Sequence, residues 1–211
     1  MADYKKLYRD IYASFGKPLT DATAMNGSIV DAASARLGIQ VPAALRDFYL
    51  VAGRERRFTQ AHNRFIAPNK WSIDRQRLIF LEENQWVVYW GVSLRSPSNE
   101  DPSVSQGINN EPIEWYLEHR HCSVFISVEL HWQAVSGGMK HRQSAAPPPA
   151  TRKKLDKNWT FVGEVNNMRA YHRAGQVVCL CPDFGMMSLK FGATSKKNLD
   201  AIGTDLELTW C

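Results

Sequence analysis

The sequence predicts an α+β protein in which helices pack against an antiparallel, mostly central sheet, with additional strands near the C-terminus. Three observations predict this class. Apolar residues recur at helical spacing in the first quarter of the chain, two strand-like runs follow at hairpin spacing, and more short strand-like runs lie beyond a proline-rich stretch. With 211 residues, 44% of them hydrophobic and 22% charged, the chain is long enough for one well-buried domain. We therefore expect a single domain over residues 1–211.

Three helices are predicted in the first quarter of the chain. Ser28 is the expected N-cap of the second helix, which Gly38 ends. Pro42 suits the first position of the third helix, because its missing N–H would be unpaired there, and Gly53 ends that helix. The first helix carries a stripe of apolar residues at intervals of three and four: Tyr4, Leu7, Tyr8, Ile11, Tyr12 and Phe15.

A hairpin is predicted in the middle of the chain. Residues 53–70 are polar, show no sustained period and read as a loop with at most a short strand. Residues 78–82 and 86–92 are rich in aliphatic and aromatic side chains and are separated by three residues, which is hairpin spacing. In the second run the residues that would point to either face of a strand are apolar. We therefore expect this strand, with Trp86 and Trp90, to lie in mid-sheet.

Residues 96–155 hold an ambiguous apolar segment between two predicted loops. Residues 96–112 contain three prolines and are a loop by composition, and residues 113–117 are strand-like. The apolar positions of residues 123–135 fit both a strand and a helical stripe, so the residues alone leave both open. Residues 137–155, with a Gly-Gly pair and a run of three prolines, are predicted to form a mobile loop.

Residues 156–211 are predicted to be a β-rich extension of the same domain. Asparagine and glycine pairs at turn positions separate the runs. Ser195 is expected to cap a short helix that ends at Ile202, and residues 206–210 to form a last strand. The strand-like runs are residues 159–165, 168–172, 177–181 and 186–191.

Composition and charge restrict the functions to consider. Lys and Arg number 26 against 21 for Asp and Glu, which gives a formal charge of +5. The basic residues are spread over several short clusters, a pattern that favours solvated loops over nucleic-acid contact. No apolar run approaches the roughly 18 residues that a membrane helix needs, and the N-terminus lacks the apolar core of a secretion signal, so we expect a cytoplasmic protein.

No residue pattern indicates catalysis or metal binding. A Gly-x-Ser-x-Gly elbow and the glycine-rich phosphate loops are absent from the sequence. Glu82 and Glu83 are adjacent in a predicted strand and point to opposite faces, so they cannot readily share a substrate. The His and Cys residues lack zinc-site spacing, and all four thiols are expected to be free: His119, His121, Cys122, Cys179, Cys181 and Cys211. We expect a non-enzymatic protein without catalytic residues, cofactor, metal or small-molecule substrate.

Four motifs occur in an order that resembles the SUKH superfamily. They are LGIQVPAALRDFY at 37–49, LIFLEENQ at 78–85, WVVYWGV at 86–92 and DPSV at 101–104. The resemblance is strongest over residues 27–137. It implies a SUKH-like α+β domain in which residues 123–135 form a helix. It also implies a protein-binding module without an active site, since these domains are known largely as immunity proteins of bacterial polymorphic toxin systems, with relatives that regulate fungal cell-wall assembly.

The expected partner is therefore a protein, a toxin domain that the chain neutralises by stoichiometric binding. Two alternatives remain open: a regulatory or scaffold protein of the same fold without a toxin partner, and a weak basic nucleic-acid binder. Immunity proteins that mask basic nucleases are usually acidic, whereas this chain is basic. Because arginine is enriched at interface anchors, we predict partner contact by a polar loop. Its residues are Arg54, Arg56, Arg57, His62, Asn63 and Arg64.

Overall fold

The computed structural model describes residues 2–183 and 185–208 and confirms the predicted α+β class. Its strands form two antiparallel sheets, which we call sheet A and sheet B. In the described residues the helices are α1 (Tyr4–Ser14), α2 (Gly27–Leu37), α3 (Ala43–Ala52), α4 (Cys122–Gln133), α5 (Thr151–Asn158) and α6 (Lys196–Leu206). The strands are β1 (Arg64–Phe65), β2 (Ser72–Asp74), β3 (Arg77–Glu82), β4 (Val88–Ser93), β5 (Val104–Ile108), β6 (Glu114–His119), β7 (His141–Ala145), β8 (Thr160–Val165), β9 (Met168–Arg173), β10 (Gln176–Asp183) and β11 (Met186–Ala193).

The three N-terminal helices form where the apolar pattern predicts them. The buried Tyr8 of α1 donates its hydroxyl hydrogen to the carbonyl of Ala44 at 3.0 Å, which fixes α1 against α3. Gly38, with φ of +63°, ends α2 as predicted. Asn26 rather than Ser28 caps the start of α2, because its side-chain oxygen accepts the Ser28 N–H at 3.0 Å.

Sheet A has the strand order β1-β3-β4-β5-β6, and β2 also pairs with β3. The predicted hairpin is the β3–β4 pair, in which Leu78 lies opposite Val92. Alternate side chains of a strand point to opposite faces, and the inner face of sheet A carries Phe80, Trp90 and Val104 into the main core.

Helix α4 lies between the two sheets. On one side Phe125 packs against Phe80 and Trp90 of sheet A, with ring centroids 6.0 and 6.1 Å apart. On the other side α4 contacts β8, β9 and β10 of sheet B. Ten of its twelve residues are buried as a result. The segment that the residues alone left ambiguous is therefore a helix, as the resemblance implies, and it continues into a π-helical turn at Ala134–Gly138.

Sheet B, in the order β7-β11-β10-β9-β8, is covered on both faces. Val177 and Cys179 of β10 join the main core against α4, whereas the alternate residues Val178 and Leu180 join a second core beneath α5 and α6. The C-terminal strands therefore form a sheet of their own rather than extending sheet A.

Three predicted segments differ from the structure. Residues 96–112, expected to be a loop, contain β5, which lies between β4 and β6. Residues 137–155, expected to be a mobile loop, contain β7 and the first residues of α5. The helix capped by Ser195 continues to Leu206, so the last strand predicted for residues 206–210 starts on a helical residue. Residues 209–210 of that prediction lie outside the described residues.

Candidate protein-binding surface

The predicted contact loop divides into exposed and anchored residues. Arg54, Arg56 and Arg64 are exposed to solvent. Arg57 is also exposed, but its Nε donates to the carbonyl of Gly138 at 2.5 Å and ties the loop to the end of the α4 segment. The loop therefore presents three exposed arginines, Arg54, Arg56 and Arg64, and one arginine, Arg57, whose side chain also makes a structural bond.

The structure corrects the prediction that Asn63 faces a partner. It is only 4% exposed, and its amide Nδ2 donates to Oε1 of Glu129 at 2.9 Å. Its carbonyl accepts from Nε2 of Gln133 at 2.7 Å. Asn63 therefore holds the loop on α4 instead of facing solvent. No local pattern indicates this contact, because an asparagine in a polar loop is usually exposed.

His62 is half-buried beside the same helix. Its backbone N–H donates to Oε1 of Gln133 at 2.7 Å, and its ring packs edge-on against Trp132 with centroids 5.6 Å apart. Burial, helped by the positive charge of Lys190, lowers the pKa of His62. The imidazole is therefore neutral at neutral pH and adds no positive charge to the loop.

An aromatic platform lies on the outer face of sheet A, the face turned away from α4. Trp115 of β6 covers Gly107 of the neighbouring strand β5 and Gly91 of β4, the next strand across the sheet. A Cβ atom on either glycine would lie 2.9 Å from the indole ring, so only glycine admits the ring at this distance. The indole N–H donates to Oδ2 of Asp74 at 2.6 Å, and the guanidinium of Arg77 lies 5.1 Å from the ring centroid. Trp115 is therefore held in one orientation.

Trp86 is not in mid-sheet as predicted, because it occupies the β3–β4 turn with φ of +63° and is 57% exposed. Its carbonyl accepts from Nδ2 of Asn109 at 2.8 Å, which holds the turn. The guanidinium of Arg64 lies 5.8 Å from its ring centroid and also reaches Glu82, with 3.8 Å between nitrogen and oxygen. Trp90 is buried in the core as predicted.

Two adjoining grooves lie beside the contact loop. One, of about 710 Å³, runs between this loop and the outer face, with Arg64, Trp86 and Tyr89 among its walls. It shares Gln60 with a second groove, of about 280 Å³, which Arg54 and Arg56 line. Trp115 lies outside both grooves but on the same face of sheet A, in register with Tyr89 across Gly107. We call the grooves and this neighbouring ring the Trp–Arg surface and define it by six residues: Arg54, Arg56, Arg64, Trp86, Tyr89 and Trp115.

Positive charge borders the Trp–Arg surface at both ends. Lys70 lines the groove beside Arg64, and at the other end burial and the charges of Arg95 and Arg75 lower the pKa of Arg77. The carboxylates nearby are already engaged, since Asp74 accepts from Trp115 and Glu82 pairs with Arg64. The surface therefore carries an excess of positive charge.

A second concave site lies on the opposite, inner face of sheet A. This cleft of about 370 Å³ between the sheets is lined by Glu118 and Glu129, among others. Burial raises the pKa of Glu129 to about 8, although hydrogen bonds from Asn63 and Gln133 oppose this, and burial also raises the pKa of Glu118. In the described residues no three His, Cys, Asp or Glu side chains are grouped to hold a metal ion. The neutral Glu129 carboxyl accepts hydrogen bonds from the amides of Asn63 and Gln133, so we assign it a structural role.

The thiols near this cleft are interior groups. Burial raises the pKa of Cys122 and of Cys179 well above the ordinary value, which disfavours the nucleophilic thiolate. Cys181 is buried, with its sulfur 3.6 Å from the carbonyl of Ser188, and Cys211 lies outside the described residues.

Comparison with known proteins gave no relative: no family model matches this chain, and neither does any curated protein or solved structure. Across the described part of the chain, no helix has the length and apolar character required to cross a bilayer.

Proposed function

We propose that this chain is a non-enzymatic binding protein of the immunity type, which neutralises a cognate toxin by stoichiometric burial of the toxin against the Trp–Arg surface. The observation that carries the proposal is the pairing of exposed tryptophan with arginine on one concave surface. Trp, Tyr and Arg are the residue types that contribute most to protein–protein affinity. The SUKH-like order of motifs supports the same role and supplies the toxin as partner.

The platform is also rigid before binding. The glycine pair beneath Trp115, its bond to Asp74 and the stacked Arg77 restrict the ring to one orientation. Asn63 and Arg57 fix the contact loop to the α4 segment in the same way. A partner then loses less side-chain entropy on binding, so more of the contact energy appears as affinity.

The charge of the surface selects the partner. Arginines border the Trp–Arg surface at both ends, and the chain carries a formal charge of +5. Opposite charge speeds association and orients the two proteins. We therefore expect the toxin domain to present an acidic surface to this chain rather than the basic active site of a nuclease.

The test begins with the gene next to that of this chain: we expect it to encode a secreted multidomain protein, whose C-terminal domain is then purified. Titration calorimetry with the purified domain should give a 1:1 complex, and co-expression of the chain should restore growth to cells that produce the domain. Trp86→Ala and Arg64→Glu should each weaken binding by about 30-fold, the effect of losing a strong interface anchor. Simultaneous charge reversal of Arg54, Arg56 and Arg57 should weaken it as well.

Lys197→Glu is the matched control, because this exposed lysine lies on α6, behind sheet B. It should bind as the unmodified chain does. The proposal is wrong if the Trp86 and Arg64 variants bind like the control, or if the neighbouring domain neither binds the chain nor inhibits growth. Salt-dependent binding of random-sequence DNA in place of the protein would identify a nucleic-acid binder instead.

A further inference from the structure

Strand β6 forms one edge of sheet A. Within the described residues it pairs only with β5, in regular register from Glu114 to Leu117. An edge strand presents a row of backbone N–H and C=O groups that another strand can bind. The opposite edge of the sheet is formed by β1 and β2, which have only two and three residues. The six residues of β6 make it the longer template.

The side chains of β6 protect this edge only in part. Proteins block such edges with lysine and other charges, proline, bulges or very short strands, and β6 has two glutamates and one bulge. The sequence of β6 contains neither lysine nor proline, and Tyr116 and Leu117 are 54% and 64% exposed. Tyr116 and Leu117 are adjacent and point to opposite faces of the sheet, so a strand added at this edge would cover apolar surface on both faces.

The charges along β6 identify that strand as a second copy of β6. Glu114 stands at the start of the strand and Arg120 directly follows its end, whereas Glu118 lines the inner cleft. In an antiparallel pair of two copies centred on Leu117, the strands run in opposite directions. Glu114 of each copy then lies beside Arg120 of the other, so the favourable contact occurs twice. The bulge of β6 falls after Leu117, between the axis and Arg120.

We propose that a second copy of this chain binds at β6 and forms a two-fold symmetric dimer in which the two sheets A join into one continuous sheet. The Leu117 side chains meet at the axis, and the Tyr116 rings are partly covered on either side. The proposal goes beyond the toxin-binding function and does not depend on it. One strand pair buries less area than a standard interface, so we expect dissociation in the micromolar range.

Sedimentation equilibrium of the full chain, over about 1 to 500 µM, tests the dimer. The unmodified protein should change from monomer to dimer across this range. Leu117→Lys, which brings two ammonium groups together at the axis, should raise the dissociation constant by at least about tenfold. Met186→Lys is the control, since Met186 is also an exposed apolar residue but lies in sheet B, and it should leave the dimer unchanged.

Exchange of the two charges tests the orientation of the strands. Glu114→Arg and Arg120→Glu should each weaken the dimer several-fold, because like charges then meet, and the double variant should recover most of the affinity. Circular dichroism should show all variants folded, since the substituted side chains are exposed. A chain that stays monomeric throughout, or a dimer that tolerates Leu117→Lys, overturns the proposal. A double variant that stays weak overturns the antiparallel arrangement.

Discussion

Replacement of Glu129 by glutamine should stabilise this protein at alkaline pH and leave its stability nearly unchanged under mildly acidic conditions. The carboxyl accepts hydrogen bonds from Asn63 at 2.9 Å and from Gln133 at 3.1 Å, and burial raises its pKa from the ordinary 4.5 to about 8. Glutamine has the shape of the protonated carboxyl and keeps an oxygen for both bonds.

The magnitude follows from the linkage between protonation and folding. A group whose pKa is raised in the folded state stabilises the fold fully below its unfolded pKa, and this contribution is lost as the pH rises through the folded value. For values of 4.5 and about 8, the loss between about pH 5 and pH 8 is about 3 kcal/mol. The Glu129→Gln variant should escape this loss.

Urea unfolding at several pH values in this range, followed by tryptophan fluorescence, measures the difference between variant and unmodified protein. This difference should be near zero at the acidic end and about 3 kcal/mol at the alkaline end. Glu100→Gln, at an exposed glutamate, is the control for removal of one carboxyl. A difference for Glu129→Gln that does not change with pH would refute the reasoning, because it would mean that the carboxyl ionises in the folded protein without cost.

Two other substitutions test the core and the platform. Burial lowers the pKa of His131 to about 3, so the imidazole stabilises the fold above its ordinary value of 6.5 and this contribution is lost as the pH falls. Between pH 7 and pH 5 the unmodified protein should therefore lose about 2 kcal/mol more than His131→Leu, by urea unfolding at each pH; equal losses would contradict the assignment. Gly107→Ala should cost about 1–3 kcal/mol in the same assay, because the new Cβ would lie 2.7 Å from Ile113 and 2.9 Å from Trp115. It should also weaken toxin binding, whereas an unchanged stability would show that the Trp115 ring moves freely.

The elements with one buried face and one exposed face were predicted correctly from the sequence. The first helix has a polar side and an apolar side, so the residues that point inward recur every three or four positions. Four of the five strands of sheet B, β8 to β11, were found because turn residues separate them, and β10, covered on both faces, still alternates between two cores. Local pattern and tertiary packing agree at these positions.

Prediction was poorer where neighbouring elements supply the burial. Strand β5 contains Ser105, Gln106 and Gly107, which are poor strand formers, and it lies in mid-sheet partly because the Trp115 ring of another strand covers Gly107. Helix α4 lacks a polar face because both sheets cover it, so its residues alone could not distinguish helix from strand.

The candidate surface was predicted only in part. The exposed arginines of the loop follow from composition, whereas the role of Asn63 depends on Glu129, which lies 66 positions further along the chain. The exposure of Trp86 depends on a backbone with positive φ, which is uncommon for a residue of this size. Such long-range and backbone features have no counterpart in local hydrophobic pattern.

The position of α4 has a consequence for synthesis of the chain. All of sheet A is complete when residue 119 leaves the ribosome, but the side of α4 that faces Val165, Ala170 and Val177 has no cover until sheet B follows. A nascent chain that stops near residue 138 therefore exposes an apolar helix surface. We expect the two sheets to become protease-resistant together, late in translation, rather than in two successive steps.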